Sequence, residues 1–469
     1  MPLSATAFIH PGNNLIANIS GELDRPGLVY VEYWTGLDDR LTTRPVDSQG
    51  TRFNIHAVRL RAETEYEYRV LGYGTGGATI EGPGGRFTTG PLPEGLQEAS
   101  FTVVSGRPTH PLTFLEFRQE SFLGLVAIDG AGNIVWYYEG PDGEQPWVMA
   151  RRSENGNVVY IAGHRGGTTG SGLVEIDALG NQVARLEDEC APFGPIHHEV
   201  QILPDGRVLY LSRAVLRPGY GAPLAPQEGD TIGIWDPATG KNEIVWNIFD
   251  HISPADRTSP NSNFTLPGHP IWGGCDRDES VQDWSHGNSA TVAADGTVLV
   301  SLGHLNQVVL ISADFKDVLW RLGGPGSDFS FLDDTDAFYG QHTAWLLPNG
   351  NVLLFDNGGA RPREEGGRFS RALELRLNQA TKVASVRWEY RAVPPKFSEC
   401  CSSAQRLDGG NTLVLFGGAG GDLCCREFTI VEEDSFGLEA WKVVHISPGK
   451  PNQYRVYPAD SIMGEAPAR

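Results

Sequence analysis

From about residue 100 onward, short apolar runs recur behind a small set of turn signals, and no long stretch carries apolar residues at helical spacing. Asn155-Gly156, Asp205-Gly206, Asp295-Gly296, Asn349-Gly350 and Gly409-Gly410 each precede such a run, for example Val208-Leu209-Tyr210 and Val352-Leu353-Leu354. Glycine after Asn or Asp predicts tight hairpins of type I′, in which both central residues hold positive φ. A second kind of hairpin alternates with the first and often closes on tryptophan, at Trp136, Trp246, Trp320, Trp388 and Trp441. A further copy at residues 173–181 lacks the tryptophan, which brings these outer hairpins to six. Repeats of roughly 40 to 60 residues, each supplying about four strands, predict an all-β chain built as a six-bladed β-propeller.

Ahead of the repeats the period is a strict alternation. In residues 60–70, charged positions alternate with Tyr66, Tyr68 and Val70, the pattern of a strand with one buried face. Residues 7–90 therefore read as a β-sandwich of the fibronectin III-like kind, whose tyrosine-bearing corner this stretch resembles. A last strand, Gly85-Arg86-Phe87-Thr88-Thr89, runs into Gly90-Pro91-Leu92-Pro93-Glu94-Gly95. The expected division is a sandwich over residues 1–95 and a propeller over 96–469. The long insertions 216–230, 252–282 and 323–340 are expected to form loops at one mouth of the propeller.

Charge narrows the partners. The 469 residues carry 37 basic against 58 acidic groups, a net charge of −21, so a nucleic-acid backbone or an anionic membrane would be repelled. A local basic pocket for a small anion remains open, and a small molecule is the expected partner; the sequence does not fix the oligomeric state. Met1-Pro2-Leu3-Ser4-Ala5 shows neither a charged n-region nor an apolar h-region, and no transmembrane run follows. The expected location is cytoplasmic, or periplasmic or secreted if a signal peptide was removed. Six cysteines include the adjacent pairs Cys400-Cys401 and Cys424-Cys425, besides Cys190 and Cys275. Adjacent pairs are not the spaced pattern of a zinc site, and both disulfides and reduced thiols stay open.

Aligned on their turns, the repeats put His198, Asn288, His342 and Ser402 at one position, with His286 two residues before Asn288. The innermost strand of each propeller blade lines the central channel, so these groups are expected to converge. Period-two alternation places His286 and Asn288 on one strand face and turns His197 away from His198. A single histidine is ordinarily a hydrogen-bonded core residue; three at matched positions point to a site. Neutral imidazole serves as nucleophile or general base near neutral pH, while protonated neighbours stabilise anionic charge. Alternatively, His198, His286 and His342 hold a divalent transition metal. Glu199, Asp283, Asp356 and Glu399 are the carboxylates near enough in sequence to orient these rings.

Residues 283–289 (Asp-Trp-Ser-His-Gly-Asn-Ser), 341–345 (Gln-His-Thr-Ala-Trp) and 355–361 (Phe-Asp-Asn-Gly-Gly-Ala-Arg) resemble segments of the aryl-sulfate sulfotransferases that use no nucleotide sulfate donor. The resemblance implies a six-bladed propeller behind an N-terminal sandwich, and transfer of a sulfuryl group from an aryl sulfate to a phenol. It makes His342 the nucleophile that becomes sulfohistidine. His198, His286 and Asn288 match positions that bind the sulfuryl oxygens or assist proton transfer, and Ser402 stands where the family has threonine. No cofactor is implied. Where the family carries an arginine for the sulfuryl group, this chain has Gly303, followed by His304; Arg361 is the guanidinium left to substitute. The alternative is lyase, hydratase or hydrolase chemistry at the same cluster on a small aromatic or other organic substrate, with a bound metal. Trp272, Phe329, Phe331 and Tyr339, on the insertions, are compatible with holding an aryl ring.

Overall fold

Continuous apolar runs such as Val298–Leu302 and Thr412–Phe416 are buried along their whole length, as strands covered on both faces must be. The computed structural model describes the chain apart from residues 1, 37–38, 49, 74–78, 120, 142–143, 154–155, 165–169, 188–195, 218–225, 255–281, 363–365, 419–426, 447–452 and 469. Among the described residues there is no α-helix, and no helix long and apolar enough to cross a membrane. Trp272, Cys190, Cys275, Cys424 and Cys425 lie outside the described residues. Cys400 and Cys401 are free thiols.

Five sheets run in sequence order from a leading strand: Glu144–Arg152, His197–Ile202, Gly287–Val292, His342–Leu346 and Ser403–Arg406. Another sheet precedes them and is assembled from distant parts of the chain. Leu112–Gln119, Phe122–Asp129 and Ile134–Glu139 take Val456–Ala459 as their fourth strand, with Leu115 opposite Val456. Leading strands of consecutive sheets lie side by side. Tryptophans of the outer hairpins pin neighbouring sheets together: the Trp136 indole donates to the Ala178 carbonyl at 2.8 Å, and that of Trp441 to Gly130 at 3.2 Å.

The hairpin turns differ from expectation in one respect. At Gly206, Gly296, Gly350 and Gly410 the glycine alone holds positive φ, and its N–H donates three residues back, as from Gly206 to Leu203. These are three-residue loops ending in a left-handed glycine, rather than two-residue type I′ turns. Proline at 204 and 348 favours this, because its fixed φ suits the first position of a type I turn.

The first ninety residues form two facing sheets. One holds Pro2–His10, Asn13–Leu23 and Arg52–Ala57; the other holds Leu41–Thr42, Leu28–Trp34, Glu65–Tyr73 and Thr79–Thr88. Tyr66, Tyr68 and Val70 are buried, and the Tyr66 oxygen accepts the Arg61 N–H at 2.9 Å. Ala466–Pro467 pairs with Leu41–Thr42, so residues far downstream complete a sheet of the first unit. Leu15, Ala17 and Ile19 also share one apolar core with Phe117, Phe428 and Trp441.

The described parts of the first and third insertions carry more regular structure than expected. The strand Gln227–Trp235 begins inside the first of them, and Ser330–Phe331 of the third pairs in parallel with Val383 and Ala384. Phe329 packs edge-on to Trp320 within the apolar core, and the half-buried Phe331 packs edge-on to Phe338 against it, so both are used in packing.

Candidate active site

Four leading strands begin irregularly, next to the residues the repeat alignment singles out. His198, His286, Thr343 and Ser402 have φ of 54°, 50°, 54° and 80°. The ladder skips between His197 and Val200, between Gly287 and Ser289, and between His342 and Trp345. Bulges re-aim side chains, and left-handed backbone at non-glycine residues concentrates at functional sites. Simple alternation therefore fails in two places. His197 does not turn away from His198: their Nδ1 atoms lie 2.9 Å apart. His286 precedes the strand and Asn288 sits in the bulge, so alternation does not set their relation, although both side chains stand beside Gly303.

The expected imidazoles do come together. The His198 ring lies 4.9 Å from His286, edge to face, and 5.5 Å from Tyr454. Tyr454 in turn lies 6.1 Å from His342, so one phenol ring bridges the two outer histidines. His304 stacks on His286 at 4.4 Å with an interplanar angle of 16°. Asp283 serves both: its Oδ2 is 2.7 Å from His286 Nδ1, and its backbone carbonyl 2.9 Å from His304 Nδ1. Asp230, from the sheet before, accepts from the Ser285 hydroxyl at 2.5 Å and from Gly287 N–H at 2.7 Å, which fixes the segment carrying His286.

Two of the rings have opposite electrostatic settings. Burial opposes charge on His286, but the adjacent Asp283 carboxylate, its hydrogen bond and Asp230 outweigh that and raise the pKa. Burial likewise opposes ionisation of Asp283, yet His286 and His304 hold its carboxyl well below the usual carboxylate range. Each therefore favours the charged form of the other. His342 is pushed down to about 3, by burial first and then by the His286 charge, against the opposing hydrogen bond to Asn357. His198 is driven well below its ordinary value by burial and by His286 and His197.

The tautomer of His342 follows from its partners. Nδ1 lies 2.8 Å from Asn357 Oδ1 and 3.2 Å from the Gly340 carbonyl, both acceptors. The Asn357 amide nitrogen is occupied by the carbonyls of Ser398 and Cys401, which fixes which way the side chain is turned. The proton therefore sits on Nδ1 and the lone pair on Nε2.

The remaining expected residues divide. Asn288 is fully buried; its amide donates to the Gln341 carbonyl at 2.7 Å and its Oδ1 has no partner. Ser402 is also fully buried, and its hydroxyl accepts Gly417 N–H at 3.0 Å, a structural use. Arg361 is paired with Asp356 and lies over the Phe369 and Tyr339 rings, so it is a buried structural group rather than a substitute for the missing arginine. Gly303 has a steric reason of its own: a Cβ there would stand 2.8 Å from Asn288 Nδ2. Of the four carboxylates, Asp283 orients imidazoles, whereas Glu199 and Asp356 bind arginines.

Sequence reading missed Tyr454 and Arg455. The Tyr454 hydroxyl and one Arg455 nitrogen both donate to the Asn288 carbonyl, at 2.7 and 2.6 Å, and Arg455 pairs with Glu199 at 2.6 Å. They lie outside any repeat, immediately before the strand that completes the earliest of the six sheets. The signal that could have found them is that this sheet is one strand short. Among the described residues, the group whose ligand atoms all lie within 4.8 Å of one another is Asp283, His286 and His304, not the expected trio of His198, His286 and His342.

A chain of antiparallel sheets whose leading strands present histidines to one another defines a class before it defines a reaction. The family model for arylsulfotransferase (ASST) matches residues 98–445, and the chain belongs to that family. The arylsulfate sulfotransferase AssT of Escherichia coli O6:H1 is 28% identical over 176 residues, covering 29% of this chain and 28% of that protein. The arylsulfate sulfotransferase AssT of Lelliottia amnigena is 34% identical over 61 residues, 12% of this chain and 10% of that one. The matched spans thus cover less than a third of either relative. Among solved structures, a streptogramin B lyase matches with TM-score 0.36 at 10% identity, over 93% of this chain and 98% of that one. A catalytically inactive virginiamycin B lyase from Staphylococcus aureus, with quinupristin, matches with TM-score 0.35 at 11% identity, over 74% and 99%. Both scores are too low to bear on function.

Proposed function

We propose that this chain transfers a sulfuryl group from an aryl sulfate to a phenolic acceptor through a sulfohistidine at His342, on a six-bladed propeller (residues 96–469) fronted by a fibronectin III-like sandwich (residues 1–95). The observation that carries this reading is the state of His342: neutral, with Nδ1–H held by Asn357 and Nε2 free. Nε2 attacks sulfur, the S–O bond to the aryl group breaks, and the phenolate leaves. His286, whose protonated form Asp283 favours, supplies positive charge to the sulfuryl oxygens or a proton to the leaving oxygen. In the second half, the acceptor phenol oxygen attacks the sulfur, the S–Nε2 bond breaks to return neutral His342, and neutral His198 takes the phenol proton. Family membership supports the aryl substrate class. No cofactor enters these steps.

The test is turnover of 4-nitrophenyl sulfate with a panel of phenols, together with intact-mass analysis of enzyme exposed to donor alone. Wild type is expected to release nitrophenol and gain the mass of one sulfuryl group; His342→Ala should lose both, with turnover down more than about a thousandfold. Absence of turnover and of the adduct across the panel sinks the proposal.

One observation favours a second reading. Asp283, His286 and His304 are close enough to share a metal ion, and such a centre would support lyase, hydratase or hydrolase chemistry at the same place. Elemental analysis of protein purified without added metal decides: stoichiometric metal that disappears in His304→Ala favours this reading over sulfotransfer.

A further inference from the structure

At the junction between the sandwich and the sheets lies a cavity of about 890 Å³. Arg40, Arg59, Arg61 and Arg107 line it. A chain with net charge −21 and only 37 basic residues has placed four arginines around one concavity. Guanidinium groups that crowd without anions between them repel one another, so the acids present matter. Asp39 and Asp129 also line the cavity, but both are committed to local turns. Asp39 accepts from Gly36 N–H at 2.7 Å and from Thr35; Asp129 accepts from the backbone of Ala131 and Asn133, each at 2.9 Å. Asp129 meets Arg61 only at 3.4 Å, and Arg40 leans on Trp34 with Glu32 at 3.5 Å. Among the described residues, Arg59 and Arg107 have no ion-pair partner at all. Arg59 is moreover held at φ 59°, a conformation that costs energy for any side-chain-bearing residue.

The geometry points to a binding site for a small tetrahedral oxyanion or its ester, a phosphate or a sulfate, held by Arg59 and Arg107 and flanked by Arg40 and Arg61. Guanidinium forks match tetrahedral oxyanions bidentately, and the cavity has room for an organic substituent as well. Arg59 and Arg61 belong to the sandwich, whereas Arg107 follows the strand Phe101–Gly106 on the edge of the last sheet. A bound anion therefore bridges the two units. This site is separate from the histidine cluster and does not depend on the sulfotransfer reading.

Calorimetric titration of the full chain with inorganic phosphate, pyrophosphate and sulfate, at ionic strength held constant with sodium chloride, tests the assignment. The expected result is saturable binding of one equivalent of at least one of these anions, weakened at least about tenfold in Arg59→Gln/Arg107→Gln, where two charge-assisted contacts are lost. Which anion binds tells phosphate from sulfate chemistry. The melting temperature without ligand should be unchanged in the single variant Arg107→Gln, which separates loss of binding from loss of fold. Binding should persist in His286→Ala. Binding unaffected by the arginine substitutions, lost in His286→Ala, or absent for all three anions overturns the proposal.

Discussion

Asp283 biases His286 toward its protonated form, while burial turns His198 and His342 the other way. With its carboxylate 2.7 Å from Nδ1, His286 has a raised pKa, and activity that needs the imidazolium is present at low pH and falls as pH rises through that value. Asp283→Asn removes the opposing charge, so the alkaline fall should move to lower pH by roughly one to three units, whereas Asp283→Glu should largely restore it. A pH profile of kcat/KM checks this; an unmoved alkaline limb would show that Asp283 only shapes the loop. At this scale the sequence was informative about residue types and poor about orientation. His198, His286 and His342 were legible because turn-aligned repeats put them near one position. Their true relations were not, because left-handed backbone at His198 and His286 cancels the alternation rule that orients strand side chains. Arg361, a plausible anion ligand by motif, is instead buried against Asp356.

Strand starts are the elements that make the site. Each interrupted ladder leaves a leading strand regular at its turn end and irregular at the end that carries a histidine or its neighbour. Gly303 belongs to this arrangement, at the end of the strand that pairs with the irregular start at residue 287. Restoring the family's arginine by Gly303→Arg is therefore expected to lower activity, by at least about tenfold, because the new Cβ displaces Asn288 before the guanidinium reaches the centre. Comparing Gly303→Ala with Gly303→Arg in the nitrophenol assay checks this; a gain of activity in the arginine variant would mean that the space is available. The hairpins themselves were legible, since apolar runs behind glycine turns leave a local signature. The strand Val456–Ala459 was not, because it pairs with residues more than three hundred positions earlier and its own stretch carries no repeat.

On the scale of the whole molecule, closure and chemistry are joined through one arginine. Arg455 immediately precedes the strand that completes the earliest sheet, reaches Glu199 two sheets further on, and donates to Asn288 in the next. Arg455→Met leaves the Glu199 carboxylate buried without its partner and should cost about 3 to 5 kcal/mol in denaturant unfolding. Adding Glu199→Gln should recover part of that loss, since the stranded charge is gone. No recovery would mean that Arg455 acts through packing alone. The net charge, the sandwich and the run of sheets could all be read ahead of the structure, but this tie could not, for it spans more than 250 residues. It also imposes an order in time. As the chain is synthesised, His198, His286 and His342 emerge long before Tyr454 and Arg455, so the ring between His198 and His342 is the last part to arrive, and a prematurely stopped chain would hold three histidines without it.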